Sequence, residues 1–323
     1  MEDIIPPVDR SLLLKELTRE RFLRHTNKAG NDIYVVTAHN APNVMREIGR
    51  LREMAFRDAG GGTGFEADID RYDTMQEPCR QLIVWNPDAE EIIGGYRYIL
   101  GNDVRLNADG QPDIATAHLF RFSDKFLRDY LPHTLELGRS FIQPKYQSIK
   151  GGAKSLYALD NIWDGLGALT VRHPEIQYFF GKVTMYPSFG SLGRDMILHF
   201  LNRHFGDREN LVTPITPLEP DKENLRRIES LFPHSDMKDN YKILNHEIRA
   251  LGQNIPPLVN AYMNLSGTMK VFGTAINDEF GYVEETGILV TVSDIYSDKR
   301  ERHIETYAAD IKGDLQFDRF GIS

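Results

Sequence analysis

The stretch Thr134-Leu135-Glu136-Leu137-Gly138-Arg139-Ser140-Phe141-Ile142 decides the reading of this chain. Apolar and polar residues alternate with the period of a β-strand, which puts Leu135, Leu137 and Arg139 on one face and Glu136 and Gly138 on the other. An ionised group in such a strand is costly unless it is paired or used. Two other segments embed charge in the same way. Gly95-Tyr96-Arg97-Tyr98-Ile99 sets an arginine in mid-strand, and Arg52-Glu53-Met54-Ala55-Phe56 ends an amphipathic helix shortly before Glu66-Ala67-Asp68-Ile69-Asp70-Arg71-Tyr72-Asp73. On spacing alone, Arg52, Arg97, Arg139, Asp70 and Asp73 read either as a structural ion-pair network around a loop, with Glu136 facing solvent on an edge strand, or as parts of a reactive site.

Working outward, residues 9–25 read as an N-terminal amphipathic helix, followed by a strand that opens at Asn31-Asp32. Asn43–Arg57 carries Val44, Ile48, Leu51 and Ala55 at helical spacing and stops before Gly60-Gly61-Gly62-Thr63-Gly64, which reads as a mobile loop. Gln81–Trp85 and Glu91–Leu100 form strands joined by the hairpin residues Asn86-Pro87-Asp88-Ala89. A short helix near Asp124–Tyr130, capped by Ser123, precedes the opening strand. Beyond it, Lys154–Val171 is helical, Gln177–Met185 extended and Ser191–Phe205 helical, with Ser188 or Ser191 as cap. Residues 206–252 are polar and read as a helical excursion on the surface. A helix at Pro257–Leu265, a strand at Thr268–Phe272 and the β-branched run Gly287–Val292 complete the sheet. This order predicts a mixed, mostly antiparallel α/β sheet flanked by helices. The chain divides into an N-terminal helix (1–30), a core (31–205), a helical insertion (206–252), a segment completing the sheet (253–300) and a tail (301–323), which is one domain with an insertion.

Composition and motifs exclude several chemistries. With 38 Lys+Arg against 47 Asp+Glu the net charge is −9, which speaks against a nucleic-acid partner, because phosphate neutralisation needs a basic face. The single cysteine, Cys79, rules out a disulfide framework or multi-cysteine zinc site and fits a reducing, cytoplasmic setting. The N-terminus Met1-Glu2-Asp3-Ile4-Ile5-Pro6-Pro7 lacks the basic-then-apolar order of a secretory signal, and no run approaches a membrane span. Walker A, dinucleotide-binding and H-E-x-x-H patterns are missing, and Gly190-Ser191-Leu192-Gly193 has the wrong spacing for a nucleophile elbow. His118 and Asp124 stand one residue too far apart for an H-x4-D acyltransferase motif. No metal site is expected.

The ordered set Arg52 and Phe56, Asp70 and Asp73, Arg97, then Glu136 with Arg139 resembles the acyl-homoserine-lactone synthases. It is still more similar to their relatives, the GNAT-fold N-acyltransferases of ornithine-lipid and glycine-lipid synthesis. The lipid branch is indicated by Pro144 and Tyr146, by Ile162-Trp163-Asp164-Gly165-Leu166, by Tyr178-Phe179-Phe180-Gly181, by Pro256-Pro257-Leu258-Val259-Asn260-Ala261-Tyr262 and by Asp278-Glu279-Phe280-Gly281. Some members of that branch carry an older haemolysin label, which nothing in this acidic sequence supports. The resemblance covers roughly residues 33–295 and implies a GNAT-like acyltransferase core over 31–205.

What the resemblance implies is transfer of a fatty acyl group, 3-hydroxylated, from the phosphopantetheine thioester of acyl carrier protein to the amine of a small amino acid, glycine or ornithine. Acyl carrier protein is favoured over coenzyme A as donor, because Gln147-Ser148-Ile149-Lys150-Gly151-Gly152-Ala153 only approximates the phosphate loop of the enzymes that use coenzyme A; no cofactor is bound permanently. The amine must lose a proton before it attacks, which assigns Glu136 as base. Arg139 organises its strand or pairs with Asp70 or Asp73. The thioester oxygen needs fixed donors, expected from the backbone of Phe141, Ile142 and Gln143. Arg52 or Arg97 takes the acceptor carboxylate, with Phe56, Asp70 and Asp73 completing the substrate site, or holds the aspartate loop closed.

Between Arg121 and Lys154 seven basic residues face three acidic ones, so Lys145, Lys150, Gly151, Gly152 and Lys154 are expected to dock the acidic carrier. Peripheral membrane contact would come through the lipid product. A homoserine-lactone signal synthase and a non-catalytic acyl- or carrier-binding module are the alternatives.

Overall fold

The computed structural model describes residues 1–147 and 152–312. Helix α1 (Arg10–Glu16), capped by Asp9, leads into strands β1 (Phe22–His25) and β2 (Asp32–Val36). Helices α2 (Pro42–Ala59) and α3 (Arg71–Thr74) precede the hairpin of β3 (Arg80–Asn86) and β4 (Glu91–Leu100). Strands β5 (Phe120–Phe122) and β6 (Thr134–Ile142) follow, then helices α4 (Gly152–Leu156) and α5 (Ala158–Arg172). Next come β7 (Tyr178–Met185), α6 (Ser191–Phe205), β8 (Val212–Pro214), α7 (Lys222–Ile228), α8 (Met237–Ala250) and α9 (Pro257–Met263). Strands β9 (Lys270–Asn277) and β10 (Val283–Thr291) and helix α10 (Ser297–Arg300) close the described chain.

The chain packs as two units. The first unit comprises Met1–Asp103, Leu135–Gln177 and the chain from Ile295 onward. Its strands run antiparallel in the order β1, β2, β3, β4, β6. The register pairs Gln81 with Arg97 and Arg97 with Gly138, so these positions share one face, while Leu82, Tyr96, Tyr98 and Leu137 share the other. Helix α5 packs on the Leu82 face through Gly165. Val44, Ile48, Leu51 and Ala55 of α2 are buried, as their helical spacing predicts. Residues 9–25 do not stay helical, because Phe22, Arg24 and His25 pair with β2.

The second unit comprises Val104–Thr134 and Tyr178–Asp294. Strand β10 lies antiparallel between β7 and β9, and β5 pairs with β8. Residues 206–252 therefore are not a surface excursion. They supply β8, and α7 and α8 pack on α6 with Ile228, Phe232, Leu244 and Ile248 buried. The polar residues that mask this in the sequence include the caps Asp221 and Asp236, each accepting from the first turn of its helix.

The described part of the segment read as a tail, residues 301–312, is also structured. From α10 it continues as a π turn over Glu301–Glu305 and stays helical to residue 312. His303 Nδ1 lies 2.7 Å from the Asp164 carboxylate on α5, and Arg172 Nε donates to the Tyr307 hydroxyl at 2.8 Å. The approach is close: a Cβ on Gly167 would lie 2.1 Å from the His303 carbonyl oxygen. Gly167→Ala is therefore expected to cost about 1–3 kcal/mol by overpacking. Urea unfolding should show a lower midpoint, and limited proteolysis should cut first within residues 297–312.

Candidate active site

Helix α2 delivers Arg52 and Glu53 side by side, both fully buried, to the segment that follows it. Glu53 grips the glycine-rich run: Oε2 accepts from the Thr63 N–H at 3.0 Å and hydroxyl at 2.8 Å, and Oε1 accepts from the Gly64 N–H at 2.8 Å and Arg57 Nε at 2.7 Å. Residues 60–64, read as a mobile loop, are pinned by one carboxylate. Arg52 holds the far end of the same segment. Its Nε donates to Asp68 at 3.0 Å and its two terminal nitrogens donate to Asp73 at 3.3 and 3.2 Å.

Two strand arginines meet the same carboxylates. Arg97 Nη1 donates to Asp70 at 2.7 Å and stands 3.3 Å from Asp73, while Arg139 Nε is 2.9 Å from Asp68 and its Nη2 3.5 Å from Asp70. Gln81 adds a bond to Asp73 at 2.9 Å. Three guanidiniums and three carboxylates thus close into one network. It is buried at the Arg52, Asp68, Asp73 and Arg97 end and opens at Arg139 and Asp70, whose side chains are 15% and 29% exposed. Burial works to raise the Asp68 carboxyl, but Arg139 and Arg52 outweigh it and hold the group below its ordinary range. Asp73 is likewise pushed up by burial and held well down by Arg52 and Arg97.

The network explains an anomaly in β6. Against β4, Gly95 pairs with Phe141 and Arg97 with Gly138, so β6 carries one residue more than its partner over this interval. Arg139 sits at the irregularity with φ +48°, a left-handed conformation that costs an arginine of order 1–3 kcal/mol. Strand alternation predicts Arg139 on the face opposite Glu136. The bulge breaks the alternation and turns its guanidinium to the aspartates that Arg52 and Arg97 also bind. Glu136 does not face solvent: it is 2% exposed and paired in register with Ile99. Its charge helps push the neighbouring Cys79 thiol up to about 12, after burial itself and against Arg97.

Of the other expected positions, Phe56 is buried on α2, where its carbonyl accepts from the Gly61 N–H at 2.8 Å. Phe141 and Ile142 sit in the regular ladder opposite Gly95 and Gly94, and the Gln143 N–H donates to the Ile93 carbonyl at 2.9 Å. The irregularity lies earlier, at Arg139 and Ser140, so the strand opens two to three residues before the sequence reading put it. Lys145 pairs with Glu91 at 2.6 Å, and Lys154 holds Asn31 Oδ1 at 2.9 Å and Asp88 at 3.1 Å. Lys125 and Arg128 also face carboxylates, of Glu209 and Asp129. The basic segment is therefore largely matched by local acids. Gly152 opens α4, while Lys150 and Gly151 lie outside the described residues.

Sequence reasoning missed Asp68, the carboxylate shared by Arg52 and Arg139. Its signal was present in Asp68-Ile69-Asp70, where an exposed isoleucine separates two inward carboxylates. Among the described residues no set of three or more His, Cys, Asp or Glu side chains is placed to hold a metal ion.

Removing one partner from such a network strands buried charge. Arg52→Met is expected to destabilise the chain by about 3–5 kcal/mol in urea unfolding. Because Asp68 and Asp73 are depressed in the folded state, their contribution is complete above the unfolded carboxylate range near pH 4 and is lost as pH falls below it. Acid unfolding should therefore begin below about pH 4, and Asp73→Asn should flatten that slope.

Residues 51–155, which hold most of this site, match the family model described as an acetyltransferase (GNAT) domain. A protein of Bacteroides thetaiotaomicron described as glycine N(alpha)-acyltransferase is 64% identical over 309 residues, covering 95% of this chain and 91% of its own length. One of Phocaeicola vulgatus with the same description is 60% identical, over 95% of this chain and 94% of its own. The L-ornithine N(alpha)-acyltransferase of Brucella abortus is more distant, 27% identical over 76% of each chain. With identity this high over nearly the whole length and a GNAT domain at the site, the chain belongs to the GNAT-fold amino-acid N-acyltransferases, in the family of the glycine N(alpha)-acyltransferases.

Proposed function

We propose that this N-acyltransferase takes glycine as acceptor and a fatty acyl thioester, 3-hydroxylated and carried by acyl carrier protein, as donor. The observation that carries the reading is the juxtaposition on β6: a buried carboxylate at Glu136 and a guanidinium at Arg139 that the bulge brings to the network on the Arg97 face. A small amino acid presents the complementary pair of charges. Arg52, enclosed between Asp68 and Asp73, acts as the structural member, and Arg139, the most exposed of the three arginines, meets the acceptor carboxylate.

Glu136 takes a proton from the acceptor ammonium, directly or through one water, so that the amine lone pair can attack the thioester carbonyl. The new C–N bond forms, the C–S bond breaks, and the proton that the acylated nitrogen sheds passes to the leaving thiolate. Buried on β6, Glu136 holds its carboxylate in a fixed place beside the acceptor. Glycine is favoured over ornithine by the two relatives at 64% and 60% identity. On the carrier reading, the acidic partner would meet Lys145, whose side chain is exposed just past β6 although it pairs with Glu91. The product would be an N-acylated amino acid destined for aminolipid synthesis in the cytoplasm, at a membrane surface that receives the lipid. No described helix is long and apolar enough to cross a membrane.

The protein is to be incubated with 3-hydroxyacyl carrier protein, or with the matching acyl coenzyme A, and a panel of amino acids, with products read by mass spectrometry. N-acylglycine from the carrier-bound donor is expected. A homoserine-lactone product, or carrier binding without any amide, would overturn the reading. Glu136→Gln should lower kcat by roughly 10²–10⁴ with the fold intact; near-normal turnover would remove Glu136 as base.

A further inference from the structure

Along β6 the residues on either side of the bulge differ from the rest of the strand. Thr134 to Leu137 and Phe141 are buried, whereas Gly138, Arg139 and Ser140, like the terminal Ile142, are partly open. Gly138 lies on the face of Glu136, two positions away, and opposite Arg97 in register. A glycine inside a strand weakens it and marks a bend, a bulge or a surface that something approaches closely.

Its backbone does not require glycine, because Gly138 is not among the residues with positive φ. Crowding does not require it either. A Cβ built on Gly138 meets no described atom nearer than the Arg97 Nε, at 4.0 Å. The glycines of β4 are different: there the added carbon would come within 2.3 Å of the Phe141 carbonyl oxygen at Gly94 and within 2.4 Å of the Leu82 carbonyl oxygen at Gly95. Gly94 and Gly95 are demanded by the fold. Gly138 leaves room that the fold itself does not fill.

We propose that Gly138 is a specificity-determining residue and that its bare α-carbon is the seat of the acceptor. The acceptor's own α-carbon lies against it, with the amine toward Glu136 and the carboxylate toward Arg139. Gly138 stands two residues, roughly 7 Å, beyond Glu136 and directly before Arg139, so an acceptor seated on it meets one polar group on either side and must be short. The ligand class is a small zwitterionic α-amino acid whose α-carbon carries little or nothing. This rests on the acceptor reading under Proposed function and adds which residue sets the acceptor's size and place.

The test is Gly138→Ala in the full chain, with Gly138→Ser as a second variant of similar volume. The expected result is a 10- to 200-fold fall in kcat/KM for glycine, the range one misplaced methyl produces in a close-fitting site. The KM for the acyl donor should be unchanged and the melting temperature equal to or above that of wild type, since alanine stiffens the unfolded chain where the native backbone accepts it. A structural role would give the opposite signature, lower stability with unaltered glycine kinetics, and that result overturns the proposal. A variant melting well below wild type also overturns it, because a position with room for one carbon does not lose stability on gaining it. A wild-type protein that acylates other amines but never glycine would fail the acceptor reading itself, which separates the two failures.

Discussion

Burying a guanidinium is affordable only when carboxylates surround it, and this constraint organises the first unit of the chain. Arg52, Arg97 and Arg139 come from a helix and two strands, and Asp68, Asp70 and Asp73 from one short segment between them. Replacing a network of this kind by apolar residues often leaves stability unchanged, so its value lies in fixing geometry. Here it fixes the segment after α2 against the sheet. It also offsets the left-handed backbone at Arg139, which an isolated strand would not adopt.

The bulge is the consequence that matters chemically. In a regular strand Glu136 and Arg139 would face opposite ways, one toward each side of the sheet. One extra residue in β6 brings the arginine to the side that already carries Arg97 and the aspartates. A buried carboxylate, an open α-carbon at Gly138 and a guanidinium then follow one another within four residues. Glu53 adds a second anchor to the same segment, so that the two adjacent charged residues of α2 hold both ends of residues 63–73.

Much of this was legible beforehand, and the failures have physical causes. Residue types and their order gave the antiparallel sheet, α2 and the participation of Arg52, Arg97, Arg139, Asp70 and Asp73, because charge in a strand has few explanations. The side to which Arg139 turns was illegible, since a bulge depends on pairing with β4 and leaves no mark on local periodicity. Asp68 escaped notice because three acids stand within six residues and alternation does not say which turns inward. Residues 206–252 misled because capping aspartates and exposed faces outnumber the few apolar positions that bury α7 and α8. The helix through His303 and Tyr307 was hidden by the same arithmetic: its anchors, a histidine on Asp164 and a tyrosine on Arg172 of α5, read as polar.

We propose that the ion network acts on the reaction through Arg139. Asp70 is the member best suited to testing it, because it is partly exposed and asparagine preserves its role as the cap of α3 while removing the charge. The most direct measurement is a double-mutant cycle on kcat/KM for glycine with Asp70→Asn, Arg139→Gln and the combined variant. The expected result is strong non-additivity, with Asp70→Asn costing much less once Arg139 is gone and a coupling of about 0.5–3 kcal/mol. Equal losses from Asp70→Asn in both backgrounds would contradict the account.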